Sequence, residues 1–450
     1  MTLLITDLTR GSSRKMLWMF SIPMLLSVAF QQVYQIADSI IAGQFIGEGA
    51  LAAVGASHPI TMIFMAVAVG SNIGCAVVVS RLFGAKKYSA LKTAVCTIFC
   101  ACLAVSVVLT LVGIFGGNAL LRLIRTPSDV FADASLYLKI YIYGFLFLYL
   151  YNICNGIFTS LGDSRTPLYF LIASSLADIV MDVVFVVCFH MGVGGVAWAT
   201  FLCQGVASVL AAWTLFRRLR GVPAPERHPL FSWRMLGRIA RIAVPSILQQ
   251  SFISVGNLFI QSLVNSFGSA VVAGYSAAVK LNTFALTGFT TLGNGLSSFT
   301  AQNIGAGRPE RVKQGFRAGA GMTLCVAVPF IAAFVFAGPQ MVRLFLSAPS
   351  ADALAQGTLF LNIVAPFYVL ISLKLAADGV LRGAGCMGQF MTATFTDLIL
   401  RVILAFLLAP RFGAAGIWMS WPLGWAVAAA LSLGFYFTGG WRKRVGSIDK

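Results

Sequence analysis

The sequence predicts an all-α integral membrane protein, with twelve transmembrane helices in two six-helix lobes related by a pseudo-twofold axis along the membrane normal. Three observations predict it. Of the 450 residues, 58% are hydrophobic and 10% charged, against about 25% charged in ordinary soluble domains, so a soluble fold would expose more apolar surface than it could cover. The apolar residues gather into twelve runs of roughly 20 to 30 residues, long enough for a hydrocarbon core ~30 Å thick. Finally, the two halves of the chain carry matching landmarks in the same order.

The runs are 16–43, 51–82, 90–116, 135–161, 166–190, 194–216, 239–264, 271–303, 314–338, 355–383, 388–410 and 413–438. Each is predicted to be a helix, because a membrane-spanning strand is about ten residues long with alternating polarity and these runs are longer and do not alternate. Arg10, Arg14 and Lys15 precede the first run. That run is too long for a signal-peptide core and no small-residue cleavage pattern follows it, so it reads as an uncleaved first helix.

The net charge of +18 invites a nucleic-acid partner, but the positions of the charges argue against one. With a cytoplasmic N-terminus, 24 basic residues fall on the cytoplasmic side and four, Arg122, Arg125, Arg343 and Arg411, fall outside. This is the positive-inside pattern. It predicts a multi-pass protein of the inner (plasma) membrane with both termini cytoplasmic. The nine cysteines lack the spacing of zinc or redox sites and read as core packing. The eight tryptophans, mostly near run ends, read as interface anchors.

The basic stretch within 217–238 divides the chain into a lobe of 1–216, a cytoplasmic linker of 217–238 and a lobe of 239–450 with a short basic tail. Pro23 in IPMLLSVAFQQ faces Pro245 in VPSILQQSF. Gly47, Gly74 and Gly84 face Gly268, Gly295 and Gly305 at one offset of 221 residues, and Gly195 faces Gly416. Six spans per half make parallel repeats, an arrangement that transporters use for alternating access. Pro23 and Pro245 each remove a backbone hydrogen bond within a helix, which makes them candidate kinks.

Function is expected where charge is costly. Asp38, Asp178 and Asp182 lie in apolar runs, with no basic residue within ten positions of Asp38 or eight of the others. A carboxylate in hydrocarbon costs several kcal/mol, so such residues face a protein interior or a watery cavity. Counting inward at 1.5 Å per residue puts Asp38, Asp182 and Thr200 about 7 to 12 Å below the outer surface. Asp178 lies one turn deeper on the face of Asp182, and Gln204 follows Thr200 by a turn. Two carboxylates one turn apart in a poorly solvated place do not easily both ionise. A proton or sodium, which prefers hard oxygen ligands, could sit there. The bland reading is a polar cluster that glues helices together. In the second half the charges come as i, i+4 pairs, Lys374 with Asp378 and Asp397 with Arg401, and the repeat places Arg401 where Asp178 stands.

Gln31, Tyr34, Gln35 and Asp38 follow the spacing of one helical face, expected to line a cavity with Asn152, Asn155 and Gln204. Methionine and aromatic surfaces suit flat organic cations. No cofactor is expected, and the other expected partners are the bilayer and a small organic substrate. No histidine pair, serine-base arrangement or metal spacing supports a membrane-embedded enzyme.

The stretch QQVYQIADSIIAGQFIG at 31–47, followed by ALAAVGAS, with LRGAG at 381–385 and the turns at Gly84 and Gly305, resembles the multidrug and toxic compound extrusion transporters, bacterial multidrug-export branch. The resemblance spans nearly the whole chain. It implies a monomeric antiporter that exports organic, cationic drugs or toxic metabolites in exchange for protons or sodium by rocking two lobes. It carries a first-lobe ion site onto Asp38, Asp178, Asp182 and Thr200, with any sodium at Asp38, Asp182 and Thr200. The departure is Asp178, where the family pattern has asparagine, and the extra carboxylate tilts the expectation toward a proton. A lipid-linked precursor flippase of the same superfamily is the alternative, which would line its cavity with arginine and lysine.

Overall fold

The computed structural model of the chain describes residues 6–41, 48–124, 126–128, 130–224, 229–346 and 350–445, and the side chains of 36–41 and 48–51 lie outside that description. Gly47, Arg125 and the side chain of Asp38 therefore fall outside it. The helices are α1 Ser13–Ile41, α2 Glu48–Gly84, α3 Tyr88–Leu123, α4 Phe131–Ser160, α5 Arg165–Val183, α6 Gly192–Arg220 and α7 Trp233–Asn265. They continue as α8 Ser269–Gly305, α9 Pro309–Arg343, α10 Ala351–Val364, α11 Tyr368–Gly383, α12 Met387–Phe412 and α13 Ala414–Phe437. The protein is all-α with twelve transmembrane helices, α10 and α11 together making one of them.

Among the described residues, 11 helical stretches are long and apolar enough to cross a membrane. The twelfth is α8, 37 residues long but richer in polar side chains. Every residue from Gly295 to Ile304 is buried, so these polar groups face protein and need no apolar cover.

Three features depart from uninterrupted helices. The run 355–383 is broken by a 3-10 turn at Ala365–Phe367, where Pro366 has no N–H to continue the ladder. The run 166–190 stops being α-helical at Val183 and continues as a π turn, Val184–Cys188, with the Phe189 N–H bonded to the Val184 carbonyl five residues back. In α9 the backbone leaves helical values at Ala337 (φ −119°, ψ 16°). Both α1 and α7, by contrast, stay helical through Pro23 and Pro245.

The chain forms two compact units, one of Met1–Asp7 and Leu26–Ser251, the other of Leu8–Leu25 and Phe252–Lys450. The boundaries cut α1 and α7 shortly after their prolines. In the first unit α4 packs on α2 and α6, with α3 against α2 and α4, and α5 against α6. The first half of α7 lies on α2, where Gly70 and Gly74 leave room for Ile247 and Ala243. In the second unit α8 packs on α9, α10 and α11, and α12 packs on α13. Its core is aromatic, with Phe289, Phe334, Phe360, Tyr368, Trp418 and Trp425 all buried.

The tryptophan expectation is corrected here. Trp418, Trp421, Trp425 and Trp441 are buried, and Trp418 stacks on Tyr275 with ring centroids 4.8 Å apart. The cysteines divide likewise. Cys75, Cys102 and Cys154 are buried, whereas Cys100, Cys188 and Cys325 are exposed and contribute nothing to a core.

Candidate functional site

The helical period turns Ser175, Asp178 and Asp182 of α5 inward, while Leu176, Val180 and Val183 are exposed, an apolar outer face suited to lipid. Asp178 is 3% exposed and Asp182 0%. Two carboxylates thus lie inside the first unit one turn apart, just before the π turn. A single π turn in a helix often marks a functional position.

Two neighbouring helices meet Asp178. From α1 the Tyr34 hydroxyl donates to Asp178 Oδ2, and from α6 the Cys203 thiol lies close enough to Asp178 and Asp182 for both carboxylates to act on it. Cys203 was expected to be core packing, and this is its correction. Its place was legible in principle, since it lies three residues after Thr200 and one before Gln204, on the same side of one helix.

Thr200 is half-buried and its hydroxyl donates to the Val196 carbonyl at 3.1 Å, which leaves its oxygen lone pairs available as a hard ligand. Thr200 and Gln204 line a pocket between α4 and α6, together with Tyr137, Tyr141, Leu148 and Phe201. Gly144 makes the close approach possible, because a Cβ there would stand 3.1 Å from the Phe201 ring. The Tyr141 hydroxyl and Gln204 Oε1 are buried with no hydrogen-bond partner among the described residues, so the pocket wall offers a donor and an acceptor to whatever enters.

The other candidates are dispersed. Gln31 and Gln35 are exposed, Asn152 donates to the Leu148 carbonyl at 2.9 Å, and Asn155 Oδ1 is buried with no hydrogen-bond partner among the described residues.

The second unit neutralises its charges locally, as the spacing predicts. Lys374 Nζ lies 2.9 Å from Asp378, whose other oxygen accepts from Ser432 at 2.6 Å. Arg401 lies 2.9 Å from Asp397 and 4.4 Å over the Trp421 ring. Buried Arg382 is held by Asn294 at 2.6 Å.

The MatE profile matches the chain twice, over residues 23–184 and 245–407. The chain belongs to the MatE family, the multidrug and toxic compound extrusion transporters. Both matches begin at the paired prolines, Pro23 and Pro245, as a duplicated sequence requires. The chain is 30% identical to a Bacillus subtilis protein named as a probable multidrug resistance protein, YpnP, over 97% of each chain. It is 25% identical to an FAD transporter of Shewanella oneidensis over 65% of this chain and 66% of that one. Its fold matches a solved MOP-superfamily transporter from Pyrococcus furiosus with a TM-score of 0.89, 24% identity and 100% of both chains covered. A MatE transporter moves small molecules across the bilayer it spans, and it is not an enzyme.

Proposed function

We propose that this transporter exports organic cations in exchange for protons or sodium by alternating access. Ion binding is assigned to Asp38, Asp178, Asp182 and Thr200, and Gln31, Tyr34, Gln35, Asn152, Asn155 and Gln204 contribute to the substrate cavity. The observation that carries this reading is the burial of two carboxylates one turn apart on a spanning helix, at 3% and 0% exposure. Keeping such groups in a membrane is costly, and an exchangeable positive charge offsets that cost. The basic-residue count supports cytoplasmic termini in a plasma membrane. The transporter acts as a monomer with no resident cofactor.

The Shewanella relative's named cargo, FAD, carries negative charge. An acidic interior in the first unit disfavours such a cargo here, so FAD belongs in the test as a competing substrate. Purified protein in liposomes, with sodium and proton gradients imposed separately, should extrude ethidium when one gradient is applied and stop when it collapses. Asp182→Asn should abolish the gradient dependence. Gradient-driven ethidium transport at the wild-type rate in that variant, or export of FAD alone, would rule the reading out.

A further inference from the structure

We propose that one face of α8 is a cargo-contacting wall of the second unit, and that Lys280 on this face selects cargo carrying a carboxylate beside its positive charge. The proposal rests on the reading of the protein as an exporter of organic cations and narrows their chemical class.

Ser276, Lys280, Thr283, Thr287, Thr290 and Asn294 follow one another at alternating steps of four and three residues, the spacing that places side chains in one stripe along a helix. Ser276, Lys280, Thr283 and Thr290 are exposed and Thr287 and Asn294 half-buried, whereas Ala277, Leu281, Ala285, Gly288 and Leu292 on the opposite side are buried. The face that this spanning helix leaves open is its polar one. Other helices of the same unit show what a lipid-facing side looks like here, since α12 exposes Ile399, Ile403 and Leu407, and α9 exposes Val328, Val335 and Phe336. Charged and strongly polar side chains inside a membrane face watery cavities rather than lipid, so the α8 stripe belongs to a solvated path.

The stripe is also fixed in place. The Thr287 hydroxyl donates to the Thr283 carbonyl at 2.7 Å, which keeps its oxygen lone pairs for an arriving donor. At the deeper end Asn294 Oδ1 accepts from buried Arg382 at 2.6 Å, which holds that amide in one orientation.

Lys280 supplies the charge. Counted from Ser269, the first residue of α8, it lies about 16 Å along the helix. The other bases of the unit's interior have carboxylates of their own, Asp378 for Lys374 and Asp397 for Arg401, and Glu310 pairs with Lys313. Among the described residues no carboxylate forms an ion pair with Lys280. Its ammonium stands 6.0 Å over the Phe345 ring, and Phe284, one turn further on, meets Phe330 edge-on with ring centroids 5.7 Å apart. An ammonium flanked by aromatic surface suits a flat aromatic cargo, whose body lies on the rings while its carboxylate takes the charge-assisted bond. A lysine that only snorkels to the membrane surface would leave the polar positions from Thr283 to Asn294 without a role.

A matched pair of dyes tests the assignment. Rhodamine 110 has a cationic ring system and a free carboxylate, and rhodamine 123 is its methyl ester. Fluorescence polarisation with the purified, detergent-solubilised transporter gives a Kd for each. Wild type should bind rhodamine 110 about tenfold more tightly than the ester, the scale of one charge-assisted contact. Lys280→Met should bring the two Kd values together, and Lys280→Arg should keep them apart. In proteoliposomes, Thr290→Cys should take up a membrane-impermeant maleimide above the level of the parent protein, and rhodamine 110 should slow that labelling more than the ester does. The proposal is overturned if wild type shows no preference, if Lys280→Met keeps it, or if Thr290→Cys is labelled no more than the parent. Should Lys280→Met fail to fold, the wild-type preference and the Thr290→Cys labelling decide the matter. Absence of gradient-driven ethidium transport is a separate result, which defeats the export reading and leaves the two Kd values to report on Lys280.

Discussion

Gly74 of α2 and Ala243 of α7 meet backbone to backbone, so that a Cβ on the glycine would stand 2.5 Å from the alanine's Cα. The equivalent glycine of the second half, Gly295, has the Ser21 hydroxyl 3.0 Å from the same imagined atom. Duplication has thus kept a small residue at each place where the first half of a proline-bearing helix is received. Gly74→Leu should force the helices apart and lower stability by ~3 kcal/mol or more, at the upper end of overpacking costs. Gly116→Leu is the control, because nothing stands within 4 Å of its imagined Cβ. Thermal unfolding of the detergent-solubilised protein checks both, and equal melting temperatures would contradict the packing argument.

Asp163 stands two residues ahead of α5, the helix that carries both buried acids. One of its oxygens accepts from the Arg165 and Thr166 N–H groups at 3.1 and 3.0 Å, and the other from the Thr166 hydroxyl at 2.6 Å and from Arg218 of α6. Asp163→Ala removes a helix cap and strands a partly buried guanidinium, together worth about 2 to 4 kcal/mol. Asp163→Asn keeps an acceptor for the cap and should cost about half as much. A denaturation series that ranks the two variants in the opposite order would show that the cap, and not the charge, is misassigned.

The spans were legible because a run of apolar residues long enough to cross a bilayer has few other uses. The i, i+4 pairs at Lys374 and Asp397 were legible because helix geometry fixes which residues are neighbours. Pro366 signals the break in the tenth span, but spans accommodate many prolines and the signal is ambiguous. The π turn at 184–188 leaves no mark, since VFVVC reads as ordinary apolar helix. Cys203 and the tryptophans were misread for a common reason. Their chemistry suits both a core and a boundary, and only the packing around them decides which role they take. The placement of α1's first half in the second unit is a long-range contact that no local pattern encodes.

Arg311 fixes the chain just before α1. Its guanidinium donates to the carbonyls of Gly11 at 2.6 Å and of Leu8 and Arg10, each at 3.1 Å, while Nε donates to Asn303 at 3.0 Å. Asn303 in turn donates to the Leu8 carbonyl at 3.3 Å, and the Leu8 side chain is fully buried. Arg311→Ala should release this segment without unfolding the helices, because three of these bonds go to the irregular backbone of 8–11 and the fourth to the Asn303 side chain rather than to helix backbone. Hydrogen exchange at 8–12 should accelerate by about tenfold or more, given charge-assisted bonds of this number, with protection in α8 unchanged. Lys at this position would keep the charge but not the fork, and should restore little.

Asp397 and Arg401 form a buried ion pair one turn apart, with the guanidinium 4.4 Å over Trp421 and the backbone of Gly424 close enough that a Cβ there would stand 2.6 Å from Asp397 Oδ1. The geometry is tight, yet Asp397 Oδ1 and Arg401 Nε have no hydrogen-bond partner among the described residues. A buried pair that leaves polar atoms unmet repays its desolvation poorly, whereas breaking it strands a whole charge. Asp397→Leu should therefore cost about 3 to 5 kcal/mol, while Asp397→Leu combined with Arg401→Met should recover most of that loss. A double-mutant cycle on thermal stability reads the coupling directly. Additive losses would mean that the two charges are stabilised separately, Arg401 by Trp421 and Asp397 by its helix neighbours. A recovered double variant would identify the pair as a local neutralisation of charge in the second unit, in contrast to the first, where two acids share one helix face.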